Sequence, residues 1–161
     1  LITPLSGLEI SLSYIIGGTV RGVVNGVLVL LLGYFLTGLQ IDNWFLTFVY
    51  LFSVAWAFAG AGVIVGIYAK SWDSIMVITN FFFMPLIFLG GVFYSIEMLP
   101  DFWRNISMVN PLYWMINGLR YATLGIAETS HELSLGISIL FAILFSSLAS
   151  YMFSKGYRIK T

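Results

Sequence analysis

The stretch that decides the fold is residues 81–125, FFFMPLIFLGGVFYSIEMLPDFWRNISMVNPLYWMINGLRYATLG. It begins as an apolar run that contains Pro85, and it continues as two short segments that open with Pro100 and Pro111. Neither short segment has the roughly 20 residues that a helix needs to cross a bilayer. The stretch therefore predicts a chain that leaves the hydrocarbon here and crosses it again only later.

The composition places the rest of the chain in lipid as well. Hydrophobic residues make up 60% of the 161 residues and charged residues only 9%, with a mean hydropathy of +0.98. A soluble domain carries roughly 25% charged residues. The formal net charge is zero, which gives no indication of nucleic-acid binding. The absence of cysteine excludes disulfides and thiolate metal sites, and the single histidine, His131, excludes metal motifs with paired histidines.

Charged residues bound four uncharged runs, 22–41, 43–69, 74–96 and 133–154, that are each long enough to span a membrane. In lipid the backbone must satisfy its own hydrogen bonds, so these runs are helices rather than isolated strands. We therefore predict an all-α polytopic membrane protein with four spans and an outer segment. The predicted spans are about 17–38, 44–68, 74–95 and 134–154, and the outer segment is 96–133.

Lysine and arginine residues predict the orientation. The C-terminal tail carries Lys155, Arg158 and Lys160, the loop between the second and third spans carries Lys70, and the loop between the first two spans carries neither residue type. Four spans place the tail and the second loop on one side, which we predict to be cytoplasmic. Both termini of this chain are then cytoplasmic, and the outer segment faces the opposite side.

The residues before the first span predict a short helix on the cytoplasmic side. Pro4 suits the first helical position because its missing N–H has no partner there. Ser6 followed by Glu9 fits a capping box. Such a helix could contact a soluble partner, or it could be a simple connector at the membrane interface. The residues alone favour neither reading.

The third span contains a candidate hinge at Pro85. Proline removes one backbone hydrogen bond and presses on the preceding turn, so a kink is expected. Gly90 and Gly91 follow within two turns, which predicts a pliable outer half. An ordinary membrane-helix kink is the alternative.

The outer segment carries two helix starts. Pro100 is predicted at a first helical position with Asp101 in the first turn. Asn110 is predicted as the N-cap before Pro111, and Gly125 can end the second helix. We predict two short helices that dip into the outer leaflet or close its top; an interfacial loop with no moving part is the alternative. The aromatic residues expected at the interface are Trp103, Tyr113, Trp114 and Tyr121.

Motifs for catalysis and nucleotide binding are missing from the sequence. It has no phosphate-binding GxxxxGK[ST], no HExxH and no GxSxG. No pair of carboxylates lies in the middle of a span. Such a chain binds or passes apolar or amphipathic material, or it depends on a partner for energy.

The outer segment resembles the C-terminal signature of ABC-2 type permeases, the membrane subunits of bacterial ABC exporters. The resemblance covers the whole chain but only the last four of the family's six spans. Because the first residue is Leu1, we expect a C-terminal portion of a longer protein. The matching positions are Gly90, Gly91, Phe93, Leu99, Pro100, Trp103, Asn110, Pro111, Gly118, Arg120 and Gly125.

The resemblance implies an exporter half. Two permease copies, as a homodimer or a heterodimer, would pair in the bacterial inner membrane above two separate ATPase subunits. ATP and Mg would be bound in the ATPase, so this chain would hold no cofactor and would not be an enzyme. A non-transporting structural or regulatory subunit, or a truncated permease, is the alternative. Drugs, lipids and polysaccharide carriers all remain open as substrates.

The resemblance also implies two sets of site residues. The candidate ATPase-coupling loop is Thr3, Pro4, Leu5, Ser6, Gly7, Leu8 and Glu9. The candidate outer gate is Gly90, Gly91, Leu99, Pro100, Trp103, Asn110, Pro111 and Arg120.

Overall fold

The computed structural model describes residues 6–155, and this part of the chain is helical without strands. Four of its helical stretches are long and apolar enough to cross a membrane, which confirms the predicted fold class. The long helices are α1 (Gly7–Thr37), α2 (Trp44–Tyr68) and α7 (His131–Ser154). The third span, Trp72–Leu89, consists of α3 (Trp72–Ile78), a π-helical turn (Thr79–Phe83) and α4 (Met84–Leu89). The outer segment holds a 3-10 turn (Ile96–Met98), α5 (Asp101–Val109) and α6 (Pro111–Leu124).

Helix α1 is one continuous helix of 31 residues, so the prediction of a separate short helix before the first span is wrong. The predicted capping box is present: the Ser6 amide donates to Glu9 Oε2 at 2.7 Å, and the Glu9 amide donates to Ser6 Oγ at 3.3 Å. Nothing between Glu9 and Gly17 breaks a helix. At 1.5 Å per residue α1 exceeds the ~30 Å hydrocarbon core, so part of it projects beyond the lipid. Thr3, Pro4 and Leu5 lie outside the described residues.

Helices α1, α2 and α7 form the central bundle. Small residues allow α1 and α2 to approach closely: a methyl group on Gly18 or Gly22 would lie 3.0 Å from the Cβ of Ala59 or Ala55. Between α2 and α7, Trp56 Nε1 donates to Ser146 Oγ at 2.7 Å. These contacts pack the three helices closely against one another.

The third span lies at the edge of this bundle, and none of its residues is buried. Its contacts include Leu86 and Ile87, which pack against the core, and the Phe83 ring, whose centroid lies 6.2 Å from that of Phe58 in α2.

The third span ends at Leu89 rather than near residue 95, because the chain turns at Gly90 and at Gly91, whose φ is 76°. The predicted distortion at Pro85 appears as the π-helical turn just before it. The Met84 amide reaches back five residues to the Thr79 carbonyl, which makes room for the proline ring.

The two short outer helices are present, and α6 is more buried than predicted. It packs between α2 and α7, with Tyr113 only 1% exposed, so an interfacial position for Tyr113 is wrong. Asn110 caps α6 and Gly125 ends it with φ 69°, both as predicted. Pro100 is the N-cap of α5 rather than its first helical residue. Helix α6 is therefore held by protein on two sides.

Candidate functional site: the outer latch

The outer end of the third span leaves backbone carbonyls without helical partners, as every helix end does. Side chains from the outer segment satisfy them. Asn110 Nδ2 donates to the Leu86 carbonyl at 2.6 Å. Arg120 Nη2 donates to the Gly91 carbonyl. The two side chains sit at opposite ends of α6, so both ends of that helix hold the third span.

Arg120 is also paired with a carboxylate. Its Nη1 donates to Glu128 Oε1 at 2.7 Å, and the two side chains are only 22% and 12% exposed. The second oxygen of Glu128 accepts from the Ile96 amide at 3.3 Å. A charge-assisted bond in such a site is short and strong, and either charge would be expensive without the other. The pair therefore joins α6 to the segments before α5 and after α6.

Asn117 connects this pair to the start of α7. It is fully buried, and its Nδ2 donates to Thr129 Oγ1 and Ser134 Oγ, each at 3.0 Å. Its Oδ1 accepts from the Glu128 amide at 2.9 Å. The loop that carries Glu128 is therefore held in place by a buried amide. We call Asn110, Asn117, Arg120 and Glu128 the outer latch.

Tyr113 adds a further bond beside the latch. Burial raises the pKa of its phenol, so the group remains protonated and donates to Thr129 Oγ1 at 3.3 Å. An open groove of about 490 Å³ separates the end of the third span from α5. Leu86, Leu89, Phe102 and Ile106 line it. The latch thus joins the end of the third span to α6, whereas the groove lies between that span and α5.

Comparison of the sequence with known proteins identifies its family. The sequence profile described as ABC-2 type transporter matches residues 1–124. The chain belongs to the ABC-2 type transporter family. The inner membrane transport permease YadH of Escherichia coli strain K12 is 34% identical over 156 residues, which are 97% of this chain and 61% of the relative. The YadH permeases of Escherichia coli O157:H7 and Shigella flexneri match to the same extent.

This member of the ABC-2 type transporter family therefore spans about 61% of the length of the relatives it matches. No solved structure matches the chain. The predicted resemblance to ABC-2 permeases is confirmed, and the roles of individual residues stay predictions.

The structure brings together only part of the predicted outer gate of this ABC-2 chain. Asn110, Arg120 and the Gly91 carbonyl meet in the latch, and Pro111 follows as the first residue of α6. Gly90 packs against α6, since a methyl group on it would lie 2.7 Å from Ile116 Cδ1. The remaining predicted gate residues lie at the start of α5 and make none of the latch hydrogen bonds described above. They are Leu99, Pro100 and Trp103.

Sequence reasoning missed Asn117 and Glu128. Glu128 is visible in the sequence only as one of several acidic residues in the outer segment, and nothing local assigns it to Arg120. Asn117 lies within a helical pattern of apolar residues, and its burial follows from the packing of α6 between two other helices. The signal available in the sequence was an amide side chain among the apolar residues of a helix, because such a group needs hydrogen-bond partners when it is buried.

The described part of the predicted coupling segment, residues 6–9, lies where α1 meets the end of α7. A methyl group on Gly7 would lie 2.6 Å from the Ser154 amide nitrogen, so the two backbones are in contact. Ser11 Oγ and Ser150 Oγ are 2.8 Å apart and hydrogen-bonded. Leu8 points away, with 56% of its surface exposed. A force applied here would reach α1 and α7 together.

Proposed function

We propose that this chain belongs to the permease subunit of an ATP-driven exporter in the bacterial inner membrane. The subunit works as a pair of permease copies, homodimeric or heterodimeric, and couples to a separate ATPase. Membership of the ABC-2 type transporter family and the likeness to proteins named inner membrane transport permeases support this proposal. ATP and Mg²⁺ are bound and hydrolysed in the ATPase, so this chain holds no cofactor and catalyses no reaction itself.

The observation that carries the proposal is the hydrogen-bonded attachment of one end of the third span to α6. Asn110 and Arg120 join the outer end of the span to α6. The remainder of the span has no buried residue. A span without buried residues can tilt, and packed elements switch between discrete arrangements rather than deforming continuously. Because the latch joins the span to α6, tilting of the span would also move α5 and α6, and this movement would open or close the outer side.

The cytoplasmic input enters through residues 3–9 in this proposal. Exposed Leu8 is an apolar contact for the ATPase, and the Ser11–Ser150 hydrogen bond passes the motion to α7. Pro85 acts as the hinge, because the π-helical turn before it interrupts the regular helical bonding. Both termini of this chain are cytoplasmic in this arrangement.

Co-purification with the ATPase tests this function. Leu8→Ala in the full-length permease should reduce ATPase retention, since an exposed apolar contact is removed. Trp72→Ala is the matched control. Trp72 is likewise an exposed apolar residue, at 82%, and it lies beside the loop that is predicted on the cytoplasmic side with Leu8. Retention of the ATPase by Leu8→Ala at the wild-type level would remove residues 3–9 from the coupling surface. A wild-type permease that retains no ATPase would favour a structural or regulatory membrane subunit instead.

A further inference from the structure

Within residues 6–155, Arg104 on α5 has no counter-charge. Its side chain is partly buried, and its Nε is shielded from solvent without a hydrogen-bond partner among these residues. The terminal nitrogens Nη1 and Nη2 are less shielded, and they too bond to no described residue. The nearest acids in the sequence, Glu97 and Asp101, are exposed and form no ion pair with Arg104. A cation that is partly removed from water needs an anion to offset its lost hydration.

The carboxylate closest to this site is already occupied. Burial raises the pKa of the Tyr113 phenol, and the charges of Arg104 and Arg120 oppose that rise, so both arginines lie near the same phenol. Glu128 Oε1 accepts from Arg120 at 2.7 Å, and Oε2 accepts from the Ile96 amide at 3.3 Å. The cluster of Arg104, Arg120 and Glu128 therefore carries one uncompensated positive charge.

The contact between α5 and α6 supplies no partner for Arg104 either. Ser107 lies one helical turn after Arg104, so the two residues share one side of α5. The Ser107 Oγ is fully buried and also lacks a hydrogen-bond partner in the described part of the chain. An anion for Arg104 therefore has to come from outside residues 6–155 and to approach Nη1 and Nη2.

The medium around α5 contains such an anion. Phe102, Ile106 and Val109 are exposed on the opposite side of α5, and Trp103 is 47% exposed. A helix with one apolar side and one charged side lies in the plane of the membrane interface, where tryptophan is enriched and lipid phosphates are found. A guanidinium binds phosphate oxygens through two parallel hydrogen bonds. We propose that Arg104 binds the phosphate diester of an anionic phospholipid in the leaflet that α5 adjoins.

The charge of this ligand matches the cluster. A phospholipid with a neutral alcohol on its phosphate, such as phosphatidylglycerol, brings one negative charge and no ammonium group. It therefore neutralises the excess charge of Arg104, Arg120 and Glu128 without adding a cation. The bound lipid would hold α5 at the interface, and this role does not depend on the proposed export function.

Arginine-selective labelling of the wild-type full-length permease in nanodiscs tests the site. The reagent is hydroxyphenylglyoxal, which modifies free guanidinium groups, and peptide mass spectrometry measures the reaction rate at Arg104. Phosphatidylglycerol nanodiscs should slow this reaction by about tenfold relative to nanodiscs of digalactosyldiacylglycerol, because occupancy changes exponentially with binding energy. The galactolipid forms the same bilayer without phosphate. Arg120 is the internal control, since its pairing with Glu128 should keep its rate equal in the two lipids.

Three results of this labelling would overturn the proposal. Fast reaction of Arg104 in both bilayers would show that no phosphate is bound. Slow reaction in both would show that a carboxylate of another protein segment holds the side chain. Equal protection by inorganic phosphate added to the galactolipid nanodiscs would show an anion site that is not specific for lipid.

A pair of variants tests the same contact by native mass spectrometry. Arg104→Gln should weaken the binding of phosphatidylglycerol by about tenfold, and Arg104→Lys should restore part of the affinity because it keeps the charge. Glu97→Gln changes an exposed charge just before α5 and should not weaken binding. Unchanged affinity in Arg104→Gln would remove Arg104 from the site. ATPase co-purification is read separately, so a failure here leaves the proposed function standing.

Discussion

At the scale of single residues, Asn110 closes two helix ends with one side chain. Its Oδ1 accepts from the Leu112 amide at 3.0 Å and caps α6, while its Nδ2 donates to the Leu86 carbonyl at 2.6 Å. Aspartate or serine can cap a helix equally well. Only an amide supplies an acceptor for one helix and an N–H donor for the other. This double role explains why asparagine, rather than another capping residue, precedes Pro111.

The first prediction concerns the ion pair of the latch. Glu128→Gln should lower the free energy of unfolding, because Arg120 then keeps its charge in a largely buried site without a carboxylate. Breaking a fully buried pair costs roughly 3–5 kcal/mol, and partial exposure places this pair at the lower end. Reversible unfolding in mixed micelles measures the loss. Glu132→Gln, an exposed acid in the first turn of α7, is the control and should change little.

A second variant separates charge from packing in that measurement. Replacing both partners, Arg120→Met with Glu128→Leu, removes the unpaired charge and should recover part of the lost stability. If Glu128→Gln alone unfolds at the wild-type concentration of denaturant, the ion pair does not hold the latch together.

At the scale of secondary-structure elements, the third span is shaped by Pro85. A proline has no N–H for the carbonyl four residues earlier, and its ring presses on that carbonyl. The π-helical turn accommodates both effects by moving the Met84 bond back to Thr79. The span can therefore stay continuous up to Leu89 while its bonding pattern is weakened in the middle.

The second prediction is that Pro85→Ala stabilises the third span and impairs coupling. Alanine restores an N–H donor, and proline is roughly 3 kcal/mol less favourable than alanine within a helix, which sets the upper limit of the gain. A stiffer span should lower ATP turnover coupled to the permease. Pro111→Ala is the control, since proline carries no such penalty as the first residue of α6. Unchanged turnover with Pro85→Ala would show that the hinge is not used.

The third prediction compares two glycines of α1. Gly7→Ala should destabilise by about 1–3 kcal/mol, because the new methyl group meets the backbone of Ser154 at 2.6 Å. Gly17→Ala should instead stabilise by roughly 0.5–1 kcal/mol, since nothing lies within 4 Å of its methyl group and alanine favours a helix. Unfolding measured on both variants tests the contact. If the two variants change the free energy of unfolding in the same direction, α1 and α7 do not meet at Gly7.

At the scale of the whole molecule, the third span lies at the edge of a helical bundle and is hydrogen-bonded to it through α6. The helices α1, α2 and α7 pack together, and α6 packs on two of them. The third span packs against the core through Leu86 and Ile87, and the latch joins its outer end to α6 by hydrogen bonds. Residues 6–9 lie beside the end of α7 and the latch lies beside its start, so the two are at opposite ends of that helix.

The fourth prediction tests that orientation. The sequence contains no cysteine, so a single introduced thiol is the only one in the chain. Val109→Cys, at a position 85% exposed, should react with a membrane-impermeant maleimide added to intact cells. Lys70→Cys should react only after the cells are permeabilised. The opposite pattern would place α5 and α6 in the cytoplasm and would remove their role as an outer gate.

The number and approximate position of the spans could be read from the residues in order, because the length needed to cross lipid is a local requirement. Helix starts and ends were equally readable at Ser6, Asn110 and Gly125, since a cap depends on a few neighbouring residues. The extent of α1 was misjudged because the membrane boundary, which limits a span, does not limit a helix.

The partners across the latch depend on the packed molecule. Glu128 meets Arg120, and Asn110 meets the Leu86 carbonyl, only because α6 is placed between α2 and α7. A carbonyl is present at every residue, so no pattern of side chains identifies which one will be left free. Tyr113 was misplaced for a related reason: an apolar helix face suits lipid and protein equally well. Its burial was decided by which other helices were there to cover it.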